Sequence, residues 1–124
     1  MKIVKFIAAA LFGIFLIYGG VNHFLKPNFY DPFIPDFIPK LAVNYATGVV
    51  EILIGIGLCS PAFRQKAAFA SLLLMLAFTP IHLWDLFSAT PAIGSKTAAW
   101  IRIAVQALFI AWMYWLSRPE KQAN

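Results

Sequence analysis

Four apolar segments, near residues 3–24, 41–58, 67–87 and 98–116, take up most of the chain. Each is close to the roughly 20 residues of helix that cross a hydrocarbon core about 30 Å thick. The apolar runs are continuous and are broken at helical spacing, whereas barrel strands would alternate apolar and polar positions. The expected fold is therefore all-α. It is an integral membrane four-helix bundle, a single transmembrane domain over residues 1–124, with short loops and a longer Pro/aromatic-rich external loop between the first two helices. A chain that is 61% hydrophobic and 12% charged, with mean hydropathy +0.77, has too little polar surface for a soluble domain. The lipid bilayer is its expected surrounding.

The net charge of +5 comes from Lys and Arg residues scattered singly between the apolar segments. They form no patch, which argues against nucleic acid as a partner. In a four-span topology Lys2, Lys5, Arg64, Lys66, Arg118 and Lys121 fall on one side, and Lys26, Lys40, Lys96 and Arg102 fall on the other with Asp31 and Asp36. The positive-inside rule then puts both termini in the cytoplasm, in a bacterial inner membrane. The N-terminal run outlasts the apolar region of a secretory signal and shows no small-x-small cleavage site, so it is expected to stay as the first helix. Cys59 is the only cysteine, which rules out an intrachain disulfide and any Cys-based zinc or iron–sulfur site. No metal site is expected.

The first connection, residues 26–40, holds Pro27, Pro32, Pro35 and Pro39 among Phe29, Tyr30, Phe33 and Phe37. Its prolines forbid a regular helix, and its aromatic rings suit the headgroup level or the mouth of the bundle. An ordered cap over the external end is expected. The second connection is a short basic turn through Pro61, and the third holds Pro91 and Gly94. Both are short enough to join antiparallel neighbours.

Function has to be sought among the few polar side chains inside the apolar segments, because such residues are costly in lipid unless they face inward. In the second segment Asn44, Gly48, Glu51 and Gly55 follow one another at steps of four, three and four, on one helix face. That face must point inward, with the glycines admitting a close neighbour. In the third segment His82 and Asp85 lie three apart just after Pro80, within hydrogen-bond reach of each other. Pro80 withholds the donor for the Leu76 carbonyl, leaving it to accept from water, a side chain or a ligand. Arg102 and Gln106 share a face of the fourth segment, and His23 ends the first beside Asn22. At a rise of about 1.5 Å per residue, His23, Asn44, His82, Asp85 and Arg102 fall at similar depth near the external boundary. Glu51 and Gln106 lie deeper. The expected ligand site comprises His23, Asn44, Glu51, His82, Asp85, Arg102 and Gln106, with no catalytic residue assigned.

The competing reading is structural: Arg102 bridges Glu51 and Asp85 to lock helix packing, as buried ion pairs can do without any chemistry. Haem held by His23 and His82 is a third reading. It is the weaker one, since two histidines are few and the acid beside His82 suits hydrogen bonding equally well.

Gly19-Gly20-Val21-Asn22-His23-Phe24 followed by Pro27, the proline-aromatic loop from Tyr30 to Pro39, Gly48-Val49-Val50-Glu51 with Gly55-Ile56-Gly57-Leu58, and Arg102 with Gln106 and Trp112-Met113-Tyr114-Trp115 together resemble the DoxX family. The chain departs from the family's Pro-Ala-Asn by reading Pro80-Ile81-His82. The resemblance implies a quinone-linked redox role beside a partner protein. On that basis the expected function is a quinone-like small-molecule binding subunit of a membrane oxidoreductase system. In that role His82 or Arg102 would bond a carbonyl oxygen, Asp85 would orient His82, and Glu51 would relay a proton. The alternatives are a non-catalytic membrane scaffold or assembly module, and a small proton-coupled transporter, which four helices would support only as a homo-oligomer.

Overall fold

A computed structural model describes residues 2–120, so Lys121 and the rest of the C-terminal tail lie outside the described residues. Among those residues there are five helices and no strand: α1 (Lys2–Leu25), the short α2 (Pro27–Tyr30), α3 (Lys40–Cys59), α4 (Arg64–Phe87) and α5 (Lys96–Ser117). The four long ones are long and apolar enough to cross a membrane.

The first connection differs from its expected form. It contains α2 and a 3₁₀ turn over Asp31–Phe33 despite its prolines. Pro27 stands at the first position of α2, where its missing N–H would have found no partner within α2 itself.

α1 and α3 run side by side in antiparallel fashion, and glycines set their separation. A Cβ built on Gly20 would come within 2.7 Å of the Gly48 carbonyl oxygen, and one on Gly55 within 2.6 Å of the Gly13 carbonyl oxygen. At two crossings, backbone therefore meets backbone with no room for a side chain, which maximises van der Waals contact where lipid provides no hydrophobic drive.

α4 and α5 form the second antiparallel pair. The 60–63 turn joins it to α3, and the Arg64 N–H bonds back to the Ser60 carbonyl at 2.9 Å. Phe12 of α1 meets Phe109 and Trp112 of α5 edge-on, each at 5.1 Å between centroids, so the two pairs touch across the interior. Phe12, Leu58, Ala68 and Met113 are sealed from solvent around this contact.

The exterior is the reverse of a soluble protein's. Leu11, Ile14, Tyr18, Leu53 and Leu108 are each between 59% and 69% exposed, while Lys5, His23, Asn44, Glu51, Asp85 and Gln106 are buried. An apolar surface of that extent is incompatible with a monomer in water.

Helix ends engage two lysines, of which Lys5 is buried. Lys5 donates to the Arg118 carbonyl at 2.9 Å and lies over the Trp115 ring, joining the start of α1 to the end of α5. Lys96 donates to the Leu86 carbonyl at the end of α4. Ser95 caps α5 by accepting from the Ala98 N–H at 3.0 Å.

Candidate functional site

The seven expected site residues separate into two groups, and among the described residues no hydrogen bond or ion pair joins them. The first lies between α1 and α3. Pro27 has no N–H, so the His23 carbonyl four residues earlier loses its normal helical donor. The Asn44 side chain replaces it: Nδ2 donates to the His23 carbonyl at 3.1 Å and reaches the Pro27 carbonyl at 3.5 Å. That orientation turns Asn44 Oδ1 toward the His23 ring, where it accepts from Nδ1. His23 Nε2 then faces Glu51 Oε2 at 3.4 Å. Tyr30 of α2 stacks on the imidazole, with centroids 3.8 Å apart and planes 16° apart, and its hydroxyl donates to the Gly19 carbonyl at 3.3 Å.

A cavity of about 510 Å³ lies against this group, walled by Phe15, Tyr18, Gly19, His23, Tyr30 and Glu51. Gly19 gives it depth, since a Cβ there would lie 3.3 Å from Glu51 Oε2. Phe15 and Tyr18 are 51% and 69% exposed, so the cavity reaches the outer apolar face of α1. Burial pushes the Tyr30 phenol above its ordinary value of 10.0, with the Glu51 charge adding to the effect.

The second group lies between α4 and α5. Asp85, 2% exposed, accepts from the Arg102 guanidinium at 2.7 Å and from the backbone N–H groups of Ala92 and Ile93 at 2.6 and 3.4 Å. Arg102 also lies over the Phe33 ring at 5.5 Å. The expected pairing of His82 with Asp85 does not form, because charged and backbone donors occupy the carboxylate; His82 Nδ1 has no partner among the described residues. Nor does Arg102 bridge Glu51 and Asp85, since Glu51 pairs with His23. Gln106 donates to the Met75 carbonyl at 2.5 Å, and Thr79 Oγ1 to the same oxygen at 2.9 Å. These bonds go to the carbonyl one residue before Leu76, the one freed by Pro80. For haem, His23 lacks a free ring nitrogen, because Asn44 and Glu51 face both.

Sequence reasoning missed the direct parts played by Tyr30 and Phe33. The density of aromatic residues in the 26–40 connection was the available signal, but their partners depend on where α2 folds back. Asp36 and Lys40, at the loop's exposed end, form a 2.8 Å ion pair that holds the Asp36 carboxyl below its ordinary range.

The fold and this geometry define a small all-helical protein with four helices of membrane-spanning length and a buried His–Asn–Glu group beside a cavity. The chain belongs to the family described as Domain of unknown function (DUF8561), whose model matches residues 12–117. This corrects the DoxX resemblance, since that family finds no match in the chain. The residues that carried it include Gly20, Gly48 and Gly55, which serve the close approach of α1 to α3, a general need of packed apolar helices. No curated protein and no solved structure matches the chain.

Proposed function

We propose that this protein is a membrane-embedded four-helix bundle that binds a small amphipathic molecule in the cavity between α1, α2 and Glu51. The observation that carries this reading is the Glu51 carboxyl, paired with His23 at 3.4 Å, at the wall of a cavity whose remaining lining is mainly aromatic and aliphatic, with Asn22 and Lys26 as its other polar residues. Pockets for small ligands combine a mostly apolar lining with a few placed polar groups, and about 500 Å³ is within their usual range. Since the wall includes the exposed side of α1, the ligand enters sideways from the bilayer. The bias of basic residues supports an inner (cytoplasmic) membrane with both termini inside and the cavity in the outer half. The redox part of the expected function depended on the DoxX resemblance and falls with it.

One observation favours a structural role for the second group. Asp85 uses its acceptor capacity on Arg102 and on two N–H groups of the following loop, which locks the α4–α5 corner and leaves little for a ligand.

Native mass spectrometry of detergent-purified protein, with extraction of whatever co-purifies, tests the reading. A small molecule near one-to-one stoichiometry is expected in the wild type and in Asp85→Asn, and is expected to be lost in Glu51→Gln. A molecule retained in Glu51→Gln, or an empty wild-type protein that takes up no added amphipath, would overturn it.

A further inference from the structure

The hydrogen bonds around His23 settle the role of one ring nitrogen and leave the other facing Glu51. Asn44 is oriented by the carbonyls its amide group reaches, so its Oδ1 accepts and His23 Nδ1 carries a hydrogen. Nε2 is left facing Glu51 Oε2 at 3.4 Å, close enough for one proton to lie between them. Such a proton resides either on the ring, giving imidazolium and carboxylate, or on the carboxyl, giving two neutral groups. Both arrangements have the same net charge of zero. Removing that proton leaves an imidazole lone pair and a carboxylate, two acceptors that repel each other, at the wall of the cavity.

We propose that the cavity takes a lipophilic primary amine in its protonated form, which binds by displacing the proton shared between His23 and Glu51. This rests on the reading of the cavity as a ligand site and names the ligand's class. An ammonium group supplies N–H donors to both acceptors at once and restores the charge the departing proton leaves behind. The atoms balance: R–NH₃⁺ enters, one H⁺ leaves to solvent, and no bond in the amine is made or broken. The walls suit the rest of such a molecule, because Phe15, Tyr18 and Phe29 offer ring surface to a cation and to an apolar body.

The other charged or titratable groups lining the cavity are few. Tyr18 comes from α1, Lys26 from the residue after α1, and Tyr30 from α2, while α4 and α5 contribute none. Lys26 is exposed and its charge is screened by solvent at the rim, whereas Glu51 is 8% exposed.

Calorimetric titration of the purified full chain at pH 7.5 with phenethylamine, in two buffers of different ionisation enthalpy, tests the exchange. A short-chain benzoquinone and phenylpropionate serve as neutral and anionic probes. The expected result is proton release on amine binding, up to one proton per amine, with affinity rising as pH rises. Glu51→Gln should weaken amine binding at least tenfold and abolish proton release, and Glu51→Asp should keep part of both. Amine binding without proton release in the wild type overturns the proposal even if Glu51→Gln fails to fold. Binding of the quinone or the carboxylate but not the amine overturns the exchange while the cavity remains a ligand site. Binding of none of the three overturns the exchange and counts against the cavity as well.

Discussion

Asn44 supplies to the end of α1 the hydrogen-bond donor that Pro27 withholds, its Nδ2 lying 3.1 Å from the His23 carbonyl. One side chain on α3 thus closes a helix end on α1 and orients the imidazole beside it. Removing it leaves a buried carbonyl and a buried ring nitrogen unpaired, so Asn44→Ala should cost about 1–3 kcal/mol. Restoring the backbone donor should offset part of this. In a Pro27→Ala background the cost of Asn44→Ala should fall by about 0.5–1.5 kcal/mol, read as the coupling in a double-mutant cycle of unfolding in mixed micelles. Strict additivity would show that the two residues do not serve the same carbonyl.

The glycine crossings predict a different failure. A methyl at Gly20 or Gly55 would lie 2.7 or 2.6 Å from backbone oxygen, and backbone cannot swing aside as a long side chain can. Gly20→Ala and Gly55→Ala should each destabilise the protein by about 1–3 kcal/mol by forcing α1 and α3 apart. Gly94→Ala should act through its own backbone, since its φ of +120° disfavours any Cβ although none of the described residues would come within 4 Å of one. Unfolding midpoints of the three variants separate the causes: the Gly94 effect should be confined to stability, while the two crossing variants should also shift the near-ultraviolet signal of the aromatic residues packed on α1.

The four long helices were legible because membrane thickness turns an apolar run directly into a helix of known length. The spacing of Asn44, Gly48, Glu51 and Gly55 likewise marked one face of α3, and those residues are buried there. Partner choice was not legible. Local spacing suggested His82 for Asp85, but the carboxylate is claimed by Arg102 from α5 and by the N–H groups of Ala92 and Ile93, which come within reach only once the 88–95 connection has closed. Similar depth along four helices suggested one shared site, yet depth does not say around which helix pair each side chain points. Glu51 and Arg102 consequently found separate partners, His23 and Asp85.

Those separate partnerships make a testable distinction. Breaking a buried pair strands its remaining charge, so Arg102→Ala should cost about 3–5 kcal/mol. Arg102→Lys should recover only part of that, because an ammonium lacks the planar donor set and the stacking surface that Arg102 turns to Phe33. If the α4–α5 group is a lock and the α1–α3 group a ligand site, Arg102→Lys should lower the melting temperature yet leave ligand stoichiometry unchanged. Its destabilisation should add to that of Glu51→Gln. A strong coupling between the two in unfolding experiments would show that they belong to one network.

Tyr30 offers a probe of the cavity from its loop side. Its ring stacks on His23 and its hydroxyl reaches the Gly19 carbonyl at 3.3 Å, a long bond, so Tyr30→Phe should cost only about 0.5 kcal/mol near neutral pH. Tyr30→Ala also loses the stacking contact and should cost about 0.5–1.5 kcal/mol more. Alkali should separate the wild type from Tyr30→Phe in the opposite sense. Because burial and the Glu51 charge raise the phenol's pKa in the folded state above 10.0, folding holds a proton there that the unfolded chain releases first. The associated stability is therefore fully present below pH 10 and is lost as pH rises through the folded value. Unfolding midpoints followed from pH 8 to 12 should fall more steeply for wild type than for Tyr30→Phe, and the variant should lack one late-ionising phenol in a titration monitored by tyrosinate absorbance. Parallel midpoint curves for the two proteins would mean that the Tyr30 hydroxyl is freely solvated and does not sense the Glu51 carboxylate.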